Sequence, residues 1–145
     1  MKIDLLKAFT LLTAGVLLLQ AIYPSGYWIT QILLLSAGLE DTVLVTDEAR
    51  MKLAQASLTT KIVPFFRFVF LIAALIAFLR ISWQAHAFYG VVVIFHLIGW
   101  VSALGNPQVA ESVMGYIVML IQAVTIFLML TTESLRGRFG PRTTS

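Results

Sequence analysis

The chain contains no cysteine, which excludes disulfides, thiol nucleophiles and thiolate metal sites. Charge is also scarce: Asp, Glu, Lys and Arg make up 12% of its 145 residues, about half the share of an average soluble domain. No acidic residue falls inside a long apolar run, so a proton or cation pump would lack its usual carboxylate relay. Histidine occurs only at His86 and His96, ten residues apart in one run, and a straight helix cannot bring both to one ion. Phosphate-loop, dinucleotide, zinc-protease and serine-hydrolase signatures are missing. The net charge of +3 comes from cations at the ends of apolar runs, a pattern of membrane orientation rather than nucleic-acid binding. No catalytic set, metal site or nucleic-acid partner is therefore expected.

What is present is apolar. Hydrophobic residues make up 59% of the chain and the mean hydropathy is +0.93, more apolar surface than a soluble fold of this length can hide. The expected partner is the lipid bilayer, and the expected fold class is an all-α integral membrane protein built as a four-helix transmembrane bundle. It forms a single membrane domain over 1–145, with spans at about 5–23, 62–81, 85–105 and 113–132. An extramembrane amphipathic helical segment, 24–61, separates the first two spans, and a disordered tail is expected at 134–145. Asp4 and the bulky Leu19 of Leu19-Gln20-Ala21 argue against reading the first run as a cleaved signal peptide.

Local signals fill in the connections. Tyr23-Pro24-Ser25-Gly26-Tyr27-Trp28 joins interface aromatics to turn formers, so the chain is expected to bend there. Ile29–Leu39 is too short to cross alone, and lies on the membrane surface, re-enters it or packs on the bundle. Thr46 can cap a helix with Asp47 and Glu48 in its first turn and Glu48 paired to Lys52, with Met51, Ala54 and Leu58 as its apolar face. Ser82-Trp83-Gln84 is a turn short enough to make the second and third spans an antiparallel hairpin. Ala73 with Ala77, and Gly99 with Ala103, have the spacing of close-packing small residues. The Phe-rich second span (Phe65, Phe66, Phe68, Phe70, Phe78) is expected to face lipid or a subunit. Lys2, Lys7, Arg80, Arg136, Arg138 and Arg142 fall on one side, so both termini are expected in the cytoplasm of a cell with this protein in its inner membrane.

Few polar residues remain inside the apolar runs, and hydrocarbon makes each of them costly. Measured from span centres, His96 and Gln122 fall at one depth, and a buried polar pair between them is expected, with Thr125 as a second partner. His96 can equally be read as a lone haem ligand or a quinone contact, although no cofactor is required. Arg67 either snorkels to the headgroups or sits on the floor of an outward-opening pocket with Gln20, Trp100, Tyr116 and Glu111. Such a pocket would hold a carboxylate, a phosphate or a quinone carbonyl.

The organisation resembles many small four-span bacterial inner-membrane proteins, with no motif that singles out a family. Two functions follow from it. The first is an accessory or assembly subunit that packs against other membrane subunits, or against itself, through its apolar faces. The alternative is a binder or carrier of a lipophilic molecule with a polar head, a quinone or a lipid, at the Arg67 group.

Overall fold

The computed structural model describes residues 4–103 and 113–142, which are helical with no strands. The helices are α1 (Leu5–Gln20), α2 (Tyr27–Ser36), α3 (Asp47–Ala54), α4 (Leu58–Leu79), α5 (Ala85–Ala103), α6 (Val113–Thr131) and α7 (Glu133–Phe139). Leu5–Ser36, taken through its bend, and Leu58–Leu79 are long and apolar enough to cross a membrane. Gly115–Thr131 with Glu133–Phe139, bent by 95°, is a third candidate, and Ala85–Gly99 is apolar but shorter.

Asp4 starts α1 by accepting hydrogen bonds from the backbone N–H groups of Leu6 (3.1 Å) and Lys7 (3.4 Å). The expected bend is a wide π-type turn at Ala21–Gly26, in which Tyr23, ahead of Pro24, is extended (φ −141°, ψ 128°). A Cβ at Gly26 would lie 2.7 Å from the Ala21 carbonyl oxygen, so glycine is what lets the turn close. The chain then resumes as α2. This helix, overlapping the expected 29–39 stretch, packs on the rest of the molecule. Ile32 of α2 is buried against Ala49 and Leu53 of α3, with Trp28 and Phe65 alongside.

Thr46 caps α3 as expected, its hydroxyl accepting from the Ala49 N–H (3.2 Å), and Lys52 pairs with Glu48 (2.5 Å). The loop before it is clamped by Gln31, which donates to the Leu44 carbonyl (2.9 Å) and accepts from the Thr46 N–H (3.1 Å). The face of α3 differs from the one expected. Ala49 and Leu53 point inward while Met51 is 74% exposed and Ala54 and Leu58 are exposed. The helix ends at Ala54, so Leu58 belongs to α4 and never extends an α3 face.

Ser57 caps α4, which therefore begins four residues before the expected span. α4 and α5 form the antiparallel hairpin, and α1 packs on the other side of α4. The hairpin turn closes with the Ser82 N–H on the Ala77 carbonyl (2.9 Å) and the Ile81 N–H on the Phe78 carbonyl (3.0 Å). This puts Ile81 in the left-handed region (φ 50°), where α2 ends with Gly38 (φ 74°) in the same pattern of bonds. A β-branched residue in that region costs about 1–2 kcal/mol, so Ile81→Gly is expected to raise the thermal midpoint in detergent by a few degrees. An unchanged or lower midpoint would show that Ile81's packing outweighs its backbone strain.

The three packed helices each present a core stripe. On α1 it runs Phe9, Thr13, Leu17; on α4, Phe78, Ala74, Leu71; on α5, Ala85, Tyr89, Val92, all buried. Phe9, Phe78 and Phe139 meet at one end of the molecule, here called the base, with ring centroids 5.0–6.1 Å apart. The Phe-rich face is thus divided: Phe78 is wholly buried and Phe70 stacks near Phe88 and Phe95, while Phe66 is 55% exposed. Ala74 and Ala77 give the close approach on α4, but Gly99 is exposed and a Cβ there would meet nothing within 4 Å.

The tail departs from expectation. Glu133–Phe139 is a helix folded back under the base, with Leu135 and Phe139 fully buried, so 134–139 is ordered by an i, i+4 apolar pair. The His86 Nδ1–H donates to the Phe139 carbonyl (3.1 Å), and Arg142 lies over the Trp83 ring (5.4 Å). α6 contributes Met129 to the same core and leaves a groove of about 320 Å³ against α1, lined by Phe9, Leu12, Thr13, Leu120, Val124 and Thr125, among others.

Candidate functional site

Each core stripe is apolar at the base and continues into a polar residue away from it. One turn beyond Leu71 on α4 is Arg67, one turn beyond Val92 on α5 is His96, and three residues beyond Leu17 on α1 is Gln20. Arg67 and His96 touch, with Nη2 3.4 Å from Nδ1. Gln20 stands at their level by register. Phe9 of α1 packs on Phe78 of α4, and eleven residues along each antiparallel helix, about 16 Å and three turns, lead to Gln20 and Arg67 on those same faces.

This layer is poorly satisfied among the described residues. Gln20 is 5% exposed, and among the described residues neither its amide nitrogen nor its amide oxygen has a hydrogen-bond partner. Arg67 Nε is buried without an acceptor, and so is the Ser25 hydroxyl in the turn just past α1. Buried polar groups are normally paired, so a cluster of orphans points to a missing partner. Among the described residues no acid lies at this depth: Asp4 and Glu133 are at the base, and Glu40, Asp41, Asp47 and Glu48 belong to the α2–α3 end.

The residues expected together are only partly so. Arg67 and Gln20 share the layer, and His96 joins them. Tyr116, near the start of α6, is 49% exposed. Glu111 and the Trp100 side chain lie outside the described residues, so the outward-opening pocket is not delimited. A groove of about 520 Å³ is lined by Leu18, Ala21, Gly26, Gln31, Phe68 and Ile72, among others, so that Ala21 and Phe68, the chain neighbours of Gln20 and Arg67, border it.

The expected His96–Gln122 pair does not form in the described contacts. His96 faces Arg67, while Gln122 is buried one turn from Thr125, its amide nitrogen without a partner. Thr125 donates to its own helix at the Ile121 carbonyl (2.8 Å), and the buried Tyr89 hydroxyl lies beside the Thr125 side chain. Register explains the mismatch. Counting from the level where Tyr89 meets Thr125, Gln122 is three residues up α6 and His96 is seven along α5, a difference of about one turn.

Hairpin register accounts for the Arg67–His96 contact. Arg67 precedes the end of α4 at Leu79 by twelve residues and His96 follows the start of α5 at Ala85 by eleven. In a hairpin, equal distance from the turn means equal depth.

Among the described residues no three His, Asp or Glu side chains come together as a metal site. Comparison with protein-family models, with curated proteins and with solved structures finds no match to this chain. Fold and site define a class instead: an all-helical protein with two or three helices able to cross a membrane, carrying an arginine-histidine contact between two of its helices.

Proposed function

We propose that this protein is a four-span bundle of a bacterial inner membrane that binds a lipophilic molecule with a polar head, the head lying against Arg67, His96 and Gln20. The observation that carries this reading is the Arg67–His96 contact beside the unpartnered, buried Gln20 amide. An arginine within a hydrocarbon-spanning helix costs about 2.5–3.5 kcal/mol or more, which a bound head can offset. Cations gather at the base: Lys7, Arg80, Arg136, Arg138 and Arg142 against Asp4 and Glu133. The α2–α3 end has Arg50, Lys52 and Lys61 against Glu40, Asp41, Asp47 and Glu48, so the base and both chain ends are assigned to the cytoplasm.

Native mass spectrometry after extraction in a mild detergent tests the reading. The wild type is expected to retain an amphiphile, and Arg67→Ala to lose it by about tenfold or more, since 1.4 kcal/mol of lost contact already corresponds to tenfold. Equal ligand content in the two proteins would remove the basis of the proposal.

A second reading, an accessory or assembly subunit packing against membrane partners, is favoured by the groove between α1 and α6, beside which Leu12, Leu120 and Phe127 are 63–72% exposed. A helix of a partner subunit is its natural occupant. Cross-linking in native membranes that returned only the monomer would count against it.

A further inference from the structure

We infer that the head held at Arg67 is an anionic oxygen group, a carboxylate or a phosphate ester, and not the neutral carbonyl of a quinone; this rests on the binding reading above. A guanidinium has five N–H donors, no acceptor, and keeps its charge in proteins. In the Arg67–His96 contact Nη2 must therefore donate and His96 Nδ1 accept, which leaves the imidazole proton on Nε2 as a further donor. Arg67 Nε–H is buried with no acceptor, and the Gln20 NH₂ group has none either. Against these donors the described residues of the layer offer two unengaged acceptors, the Gln20 amide oxygen and the Ser25 hydroxyl, both neutral. Among the described residues the deficit at Arg67 is above all of negative charge.

Charge decides between the two kinds of head. A quinone carbonyl would satisfy one or two donors and leave the guanidinium without a counter-ion in a low-dielectric setting, where the unpaired charge is the larger cost. A carboxylate or phosphate meets both needs, accepting two parallel N–H bonds from one guanidinium edge and a third from Gln20. The mainly apolar groove beside Ala21 and Phe68 then gives the attached chain a place to lie.

The test uses the full-length protein, stripped of lipid in a neutral detergent, and reads its thermal midpoint with four probes: oleate, oleoyl-lysophosphatidate, methyl oleate and decylubiquinone. Oleate, lysophosphatidate or both are expected to raise the midpoint by about 3 °C or more at a hundredfold excess over Kd, with methyl oleate and decylubiquinone inert. Whichever anion acts more strongly identifies the head. Arg67→Gln, verified as folded by its helical circular dichroism, should abolish the rise, and Arg67→Lys should keep part of it. A rise with decylubiquinone or methyl oleate equal to that with oleate overturns the anionic head while leaving an amphiphile site intact. An oleate rise that persists undiminished in Arg67→Gln overturns the assignment to Arg67. No response to any probe, with no amphiphile retained on extraction, overturns both, and a carboxylate of a partner protein becomes the counter-ion to look for.

Discussion

Phe78→Ala is expected to cost about 3–5 kcal/mol, the largest stability loss of any single truncation in this chain. Phe78 has no exposed surface and sits where three ring contacts converge, with Phe139 at 5.0 Å, Tyr89 at 5.7 Å and Phe9 at 6.1 Å. Removing its ring leaves a cavity bordered by four helices, and the neighbours are held by their own stripes and cannot collapse into it. For a chain of this length the loss corresponds to a thermal midpoint lowered by about 10 °C or more in detergent. Phe66→Ala is the control. That ring is 55% exposed, and its truncation should move the midpoint by at most a degree or two. Equal losses in the two variants would mean that the base core is not where the molecule's stability resides.

The second large effect has the opposite sign. Gln20→Met replaces a buried amide, neither end of which is hydrogen-bonded, with an apolar side chain of similar length. Each unsatisfied buried polar group costs about 1–3 kcal/mol, so the ligand-free variant should be more stable than the wild type by about that amount, a rise of several degrees. The same substitution removes a donor and an acceptor from the Arg67 layer and should weaken retention of the bound amphiphile. Higher stability with lower occupancy is the signature of a residue kept for function. A lower midpoint would instead show that the amide has a partner in the folded protein.

The sequence is informative where a signal is local and misleading where it depends on register. Asp47, Glu48 and Lys52 announce α3 and its ion pair, and Ser82-Trp83-Gln84 announces the hairpin, because caps, i, i+4 pairs and short turns act over a few residues. Depth measured from the middle of a hydrophobic run is less secure, since helices extend past the hydrocarbon by unequal amounts. α4 begins at Leu58 rather than Ile62, which is enough to separate Arg67 from His96 on paper. The inward face of α3 was in the sequence as Ala49 and Leu53, overshadowed by the larger but outward Met51. Helix α7 was hidden by its charges: three ionic residues and a glycine in Glu133–Phe139 obscure the Leu135–Phe139 pair that holds it. Gln20 falls at the depth of Arg67 by register from the Phe9–Phe78 contact, but nothing in the sequence says that its amide lacks a partner among the described residues.

The ring cluster at the base joins Phe9, near the start of the chain, to Phe139, near its end. Such a contact cannot form until Phe139 has left the ribosome, after every described helix that precedes α7. The helices made before α7 therefore stand with one end of their core unsealed until Glu133–Phe139 folds under it.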